Sequence, residues 1–319
     1  MTPVHSKVIT AHCFVICFII IFLAGCAVNK VDGDSGSVAS GEAKLTVFTT
    51  IYPVYYFTSE IVMDKGNVVN LIPSGGEAHH WEPSPRDMVN MNQADALIYS
   101  GAGMEAWIND VLAGLDIGVR TVDCSENIDL LEGGGVHHVE DKHDARVDPH
   151  IWTDPVNAAI MVDNITKALC AIDPANAGFF RHRRDVLNQK LKDLDQDFKN
   201  TLQDMSSNDI VVSHAAFGYM AQRYELNQIA VRGISPEVEP GPARLAEIVD
   251  TIRQKNIKCV FFESLVSPKI SETIAREAGV KTLVLYTLGG ISAENKAQGE
   301  NYFTLMRKNL AHLKEGLGG

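Results

Sequence analysis

The stretch PANAGFFRHRRDVLNQKLKDLDQDFKNTLQDM at 174–205 decides how the rest of the chain is arranged. It has no Gly after Gly178 and no second Pro, and its large apolar residues recur every three or four positions. These residues are Leu187, Leu191, Leu194, Phe198, Leu202 and Met205. The spacing puts them on one face of a helix, with charged residues elsewhere. We predict one linking helix over 174–206, about 30 residues and roughly 45 Å long.

On both sides of this helix, short runs rich in β-branched and aromatic residues alternate with helical stretches. The strands expected before it are 45–50, 67–73, 94–101 and 118–124, with helices near 53–64, 86–92 and 104–113. The strands expected after it are 209–214, 227–233, 258–263 and 281–286, with helices near 216–224, 242–255 and 268–279. Alternating β and α elements imply mostly parallel sheets flanked by helices. The expected fold is therefore α/β, with an N-terminal lobe (45–173) and a C-terminal lobe (207–319) held semi-rigidly by the long helix.

The composition is that of an ordinary globular protein. A chain of 319 residues is long enough for two domains with real cores. Hydrophobic residues make up 45% of it and charged residues 21%, which excludes a disordered chain. The formal net charge of −12 argues against a nucleic-acid partner, because phosphate contacts need clustered Lys and Arg.

The N-terminus is typical of an exported protein. The apolar run CFVICFIIIFLAGC at 13–26 is short for a transmembrane helix and ends in small residues, so we predict a signal peptide over 1–25. Its end, LAGC at 23–26, resembles the lipobox of bacterial lipoproteins, in which Cys26 would carry the lipid. A plain secretory signal or an uncleaved anchor are the alternatives. Residues 26–44 are rich in Gly, Ser and Asp, and we expect a lipidated flexible tether there.

The remaining cysteines indicate no further chemistry. Cys124, Cys170 and Cys259 are odd in number and have no CxxC spacing. We therefore expect neither a disulfide framework nor a structural zinc motif.

Polar side chains follow several of the predicted strands. His79 comes after the strand at 67–73, His214 ends the strand at 209–213, and Glu263 ends the strand at 258–262. His150 stands in DPHIWTDP, just before the next helix. In open α/β sheets, ligands bind beyond the carboxyl ends of the strands. We therefore expect the three histidines, two from the first lobe and one from the second, to meet in the cleft between the lobes.

Three imidazoles predict a zinc site. Imidazole nitrogen suits zinc, and three His ligands with one further group are a common zinc set. Manganese or calcium would use more carboxylate oxygens. The segment HHVEDKHD at 137–144 adds His137, His138 and His143. It is either a solvated polar loop or an auxiliary segment that collects zinc.

Five stretches, in this order and with a long helix between them, resemble the metal-binding solute receptors of ABC importers that take up zinc and manganese. They are GGEAHHWEPSPRD (75–87), DPHIWTDP (148–155), VVSHAAFGYMAQRY (211–224), GISPEVEPGPARL (233–245) and VFFES (260–264). The resemblance covers nearly all of the chain after the tether. It implies metal ligands at His79, His150 and His214, with His80 as a neighbour. The resemblance also implies that the position of His214 is His in zinc-type members and often Glu in manganese-type members.

The sequence departs from the family at the fourth ligand. Many members supply an Asp from an LDPLG-like turn, but this chain has LYTLGG at 285–290, with Tyr286 where that Asp would be. A neutral phenol is a poor zinc ligand at neutral pH because its pKa is near ~10. Water, Glu77 and Glu263 remain as alternatives for the fourth position.

The expected function is high-affinity capture of a divalent transition metal outside the cytoplasm. We expect this metal to be Zn²⁺, with Mn²⁺ or iron as the alternative. The resemblance implies delivery to an ABC permease with its ATPase. We expect a monomer, lipid-anchored to a bacterial membrane and facing the periplasm or the cell exterior.

Two other functions are less consistent with the sequence. Three His and an open position also describe a catalytic zinc site, with Glu263 as base for a bound water. The chain has no HExxH helix, no GxSxG elbow and no phosphate loop, so we expect it not to be an enzyme. A surface adhesin is the third hypothesis, and nothing in the sequence marks an exposed adhesive face.

Overall fold

Among the described residues, eight strands form two four-stranded sheets, and every pairing between these strands is parallel. The computed structural model describes residues 44–132, 147–236 and 239–318. The first sheet has the order β2-β1-β3-β4 and the second β6-β5-β7-β8. The first contains β1 (Leu45–Thr49), β2 (Gly66–Asn70), β3 (Ala96–Tyr99) and β4 (Arg120–Asp123). The second contains β5 (Asp209–Val212), β6 (Asn227–Ala230), β7 (Cys259–Phe262) and β8 (Lys281–Val284).

Helices connect the strands of each sheet. Those before the long helix are α1 (Tyr52–Val62), α2 (Pro85–Met91), α3 (Ile108–Gly114) and α4 (Pro155–Ile172). The long helix is α5 (Ala177–Leu202), and those after it are α6 (Gly218–Arg223), α7 (Pro242–Lys255), α8 (Lys269–Ala278), α9 (Ala293–Ala297) and α10 (Tyr302–Gly316). Short 3₁₀ turns cover Met63–Lys65, Ile151–Thr153 and Pro174–Asn176. The predicted fold class, two parallel α/β sheets flanked by helices and joined by one long helix, is confirmed.

The long helix α5 packs against helices from both halves of the chain. It has 26 residues, and its first turn begins after the 3₁₀ turn in which Asp173 accepts a hydrogen bond from the Asn176 amide. The apolar face is buried along its whole length, at Leu187, Leu191, Leu194, Phe198 and Leu202. It contacts α1 and α4 of the first half and α10 of the second. Burial of this face in one continuous core explains why the described residues belong to a single compact unit.

Helix α3 begins later than the expected 104–113. Gly101, Ala102 and Gly103 have positive φ angles, so the chain turns sharply after β3. Glu105 then folds back, and its carboxylate accepts hydrogen bonds from the amides of Ser100 (2.8 Å) and Gly101 (3.1 Å). These contacts hold 101–107 as a turn and delay the helix until Ile108.

Some of the expectations lie outside the described residues. These are the signal peptide, Cys26, the tether up to residue 43, and His137, His138 and His143. Within the part of the chain that the structure describes, no helix combines the length and apolar character needed to cross a membrane.

Candidate metal centre

His79 lies in the loop that connects β2 to α2. Gly75 makes the sharp turn, with a φ of 86°, and its amide donates to the carbonyl of Ile291 at 2.8 Å. The Glu77 carboxylate then accepts a hydrogen bond from the His79 amide at 2.9 Å. The same oxygen lies 2.7 Å from Nδ1 of His80. These contacts fix the backbone at His79, whose ring is half-buried.

His150 is held by a carboxylate two residues before it. Asp148 Oδ1 accepts hydrogen bonds from both the backbone amide (2.9 Å) and the ring Nδ1 (2.8 Å) of His150. The Asp148 amide in turn donates to the carbonyl of Leu131 at 2.9 Å. His150 is 1% exposed. Directly after it, Asp154 caps α4 by accepting from the Val156 amide, which sets where the loop ends.

His214 follows β5 and is held by a residue that follows the neighbouring strand. Its ring Nδ1 lies 2.5 Å from Glu263 Oε1, and the Ser213 hydroxyl donates to the same oxygen. Glu263 follows β7, which pairs directly with β5. Parallel neighbours end at the same edge of a sheet, which explains why this carboxylate reaches His214.

The three ring nitrogens converge. Nε2 of His150 lies 3.0 Å from Nε2 of His79 and 3.4 Å from Nε2 of His214. One ligand atom from each histidine lies within 4.8 Å of the other two, the one such group of metal-binding side chains found among the described residues. Zn–N bonds of about 2.0–2.1 Å in tetrahedral geometry place two ligating nitrogens roughly 3.3 Å apart. The observed spacings are therefore close to those that a zinc ion requires.

The two carboxylates also settle which nitrogens face the centre. Asp148 and Glu263 are buried acceptors at Nδ1 of His150 and His214, so each of these nitrogens carries the ring proton. The lone pair of each ring is then on Nε2, towards the other histidines. Metal-binding imidazoles are commonly oriented by a carboxylate in this way.

Burial keeps His79 neutral. Its loss of solvation, followed by the nearby rings of His150 and His214, lowers its pKa from 6.5 to about 2. A neutral imidazole has a free lone pair, so this ring is ready to bind a metal ion at neutral pH.

Both polar and apolar residues line the cavity around these nitrogens. Its other lining residues include Ala78, Met104, Trp152, Leu265, Val266, Thr287, Gly289 and Gly290. Glu77 and Glu263 also line it, but neither belongs to the convergent group of ligand atoms. Tyr286 is not among its lining residues, and its backbone is bonded instead to the Asn309 side chain at 2.7 and 2.8 Å.

Sequence reasoning missed two residues of this site. Asp148 orients His150, and its position in the D-P-H triplet was the available signal. Trp152 lines the cavity, and its indole N–H donates to the carbonyl of Thr287 at 2.7 Å, which connects the two halves of the chain. A Trp two residues after a predicted ligand could have indicated this wall.

This fold and site define a two-lobe α/β receptor with a buried three-histidine centre. The profile of the family described as "Zinc-uptake complex component A periplasmic" matches residues 47–316. The high-affinity zinc uptake system protein ZnuA of Bacillus subtilis is 37% identical over 307 residues, 94% of this chain and 95% of that protein. The chain belongs to this zinc-uptake family.

Two further comparisons involve a longer relative. The zinc-binding lipoprotein AdcA of Streptococcus pneumoniae is 36% identical over 301 residues, 92% of this chain, which spans only 58% of AdcA. The crystal structure of the Zn(II)-bound ZnuA-like domain of that AdcA superposes with a TM-score of 0.77 at 36% identity. That superposition covers 87% of this chain and 100% of the domain.

Proposed function

We propose that this chain is a receptor that captures Zn²⁺ through His79, His150 and His214, with a fourth position left for water or a nearby carboxylate. The observation that carries the proposal is the spacing of the three Nε2 atoms, at 3.0 and 3.4 Å along the His79–His150–His214 chain. The donor set supports zinc, because imidazole is a ligand that zinc favours. The Zn(II)-bound domain of AdcA and the zinc-uptake protein of B. subtilis support the same metal.

Glu263 was one of the residues expected as the fourth ligand, but it has a different role in this proposal. Its Oε1 already accepts from His214 Nδ1 and from the Ser213 hydroxyl. We assign it to the orientation of His214, and Glu77 or water to the fourth position. The alternatives of a manganese or iron receptor and of a zinc hydrolase are not favoured, since the relatives described above are named for zinc binding or zinc uptake.

A competitive titration tests the metal and its ligands. The full chain, purified in detergent, is titrated with Zn²⁺ against a chelator of known affinity, with Mn²⁺ as competitor. We expect one tightly bound Zn²⁺ that excess Mn²⁺ does not displace, and a large loss of affinity in His150→Ala and His214→Ala. His182→Ala is the matched control, because His182 is exposed on α5. Preference for Mn²⁺, or unchanged affinity in both site variants, would contradict the proposal.

The proposal extends to where the receptor works. We infer that Cys26 carries a lipid after removal of 1–25, that 26–44 tether the receptor, and that the captured zinc passes to an ABC permease with its ATPase. The description of the family as periplasmic and the lipoprotein AdcA support export and anchoring. The lobes are proposed to be 45–173 and 207–319, joined over 174–206, in a monomer.

Two variants test the exported part. Cys26→Ser should prevent labelling by a radioactive fatty acid and release the protein from membranes, whereas Cys170→Ser, in the folded region, should change neither. Replacement of His137, His138 and His143 by Asn tests the auxiliary loop. It should slow zinc capture at submicromolar metal while it leaves the equilibrium affinity of the buried site unchanged.

A further inference from the structure

Helix α6, which belongs to the second half of the chain, forms hydrogen bonds to the loop that carries His150. Tyr219 is buried on this helix, and its hydroxyl donates to the carbonyl of Asp148 at 2.8 Å. The same hydroxyl accepts a hydrogen bond from the Leu131 amide at 3.1 Å. Four residues further along the helix, Arg223 binds the Asp154 carboxylate at 2.7–3.1 Å. Both ends of the 148–154 loop are therefore fixed to one short helix, which begins four residues after His214.

Helix α6 also approaches the loop closely at Gly218. A Cβ atom built on Gly218 would meet Asp148 Oδ2 well inside van der Waals contact, and Leu131 Cδ1 at 3.7 Å. The φ angle of Gly218 is not in the left-handed region. What requires glycine here is therefore the space that the Asp148 carboxylate occupies.

The Asp148 carboxylate has little room to move away from a side chain at position 218. Its other oxygen, Oδ1, accepts both the backbone amide and ring Nδ1 of His150, at 2.9 and 2.8 Å. Its backbone amide and carbonyl are bonded to Leu131 and Tyr219. Asp148 is 4% exposed. A methyl group at Gly218 would push Oδ2 away, and Oδ1 could follow only by leaving the His150 ring.

We propose that Gly218 is a positioning residue of the metal centre, required because the absence of a side chain there lets Asp148 hold the His150 ring. The inference rests on the proposed zinc capture and adds a residue that never touches the metal. Substitution should act through one pathway, from Gly218 to Asp148 to the orientation of Nε2 of His150. Loss of a carboxylate that orients a metal-binding histidine costs about 10–100-fold in metal affinity.

A double-mutant cycle on the full chain in detergent tests this pathway. Zinc affinity is measured by chelator competition for wild type, Gly218→Ala, Asp148→Ala and the double variant. We expect each single variant to lose about 10–100-fold, and the double variant to be no worse than Asp148→Ala alone. Gly233→Ala is the matched control, because no atom lies within 4 Å of a Cβ built there and its φ angle is ordinary. It should bind zinc as wild type does.

A spectroscopic readout separates positioning from a general loss of stability. Co²⁺ in place of Zn²⁺ gives visible absorption bands that depend on ligand geometry. We expect Gly218→Ala to alter these bands in the same way as Asp148→Ala, while its circular dichroism remains that of wild type. If Gly218→Ala fails to fold, the double variant should restore folding by relieving the clash.

Several results would overturn the inference. These are wild-type affinity and spectrum in Gly218→Ala, a Gly218→Ala cost that persists undiminished in the Asp148→Ala background, or misfolding of both Gly218 variants. Failure of the proposed function would look different. In that case wild type and Gly233→Ala would bind no zinc, or bind it independently of His150, and the proposal for Gly218 would fall with it.

Discussion

Arg223 on α6 forms a bidentate ion pair with Asp154, the residue that caps the N-terminus of α4. Arg223 Nε lies 3.1 and 3.0 Å from the two carboxylate oxygens, and Nη2 lies 2.7 Å from Oδ2. The Asp154 side chain is 3% exposed, while that of Arg223 is 34% exposed. The pair joins a helix of the second half to the helix that directly follows His150, so it contributes to both stability and the site.

Arg223→Ala should destabilise the protein because it leaves a buried carboxylate without its cation. Breaking a fully buried pair costs about 3–5 kcal/mol, and the partial exposure of Arg223 reduces this to about 2 kcal/mol. Urea unfolding of the metal-free protein measures the loss. Arg307→Ala is the control, because its pair with Asp197 at 3.4 Å is half-exposed on both sides, and it should cost less than about 0.5 kcal/mol. Equal costs for the two variants would contradict the structural role of Arg223.

Leu194→Ala should destabilise both halves together. Leu194 is fully buried on α5, which contacts helices from both halves. Truncation of such a residue costs about 2–5 kcal/mol, from lost burial and the cavity left behind. A single, earlier unfolding transition by circular dichroism and by tryptophan fluorescence is expected. Ile117→Ala, at a fully exposed residue, should leave the midpoint unchanged. Two separate transitions in Leu194→Ala would show that α5 does not couple the halves.

The architecture could be predicted because it depends on local patterns. The strands of the two described sheets are short apolar runs, and the stripe from Leu187 to Leu202 has helical spacing over about four turns. Some predicted boundaries differ from the structure: β2 ends at Asn70 rather than at residue 73, because the chain leaves the sheet to form the His79 loop. The predicted elements end at residue 286, whereas the structure continues with α9 and α10.

The convergence of the histidines was expected because each follows a strand or precedes a helix at the carboxyl edge of a sheet. The roles of the carboxylates depend on packing that no local pattern contains. Glu263 reaches His214 only because β7 pairs with β5, and strand order is not visible in the sequence. Asp148 reaches His150 because their loop folds back on itself, and Gly218 is revealed only by the approach of α6 to that loop.

Glu263→Gln and Glu77→Gln separate an orienting carboxylate from a ligand. Loss of the Glu263 carboxylate weakens the hold on His214 Nδ1, so zinc affinity should fall about 10–100-fold while the number of metal-bound atoms is unchanged. If Glu77 is the fourth ligand, Glu77→Gln should replace its carboxylate oxygen in the zinc coordination shell by another ligand atom. X-ray absorption at the zinc edge counts these atoms. A lower zinc coordination number in Glu263→Gln would instead show that Glu263 is itself a zinc ligand. Glu272→Gln, on α8, is a control expected to behave as wild type.

The stability of the metal-free protein should depend on pH through His79. Burial lowers the pKa of this ring from 6.5 to about 2, so between these values the unfolded chain binds a proton that the folded protein does not. Stability therefore rises with pH up to about 6.5 and is lost as the pH falls below it, by up to about 1.4 kcal/mol per pH unit. From pH 7 to pH 5 the contribution of His79 amounts to about 2 kcal/mol.

Urea unfolding at pH 5, 6 and 7 measures this dependence in metal-free protein. His79→Gln removes the group that titrates only in the unfolded chain, so its unfolding free energy should fall less than that of wild type as the pH is lowered. His182→Gln, at an exposed ring, should retain the wild-type slope. If wild type and His79→Gln show the same slope, the His79 ring must accept its proton in the folded protein.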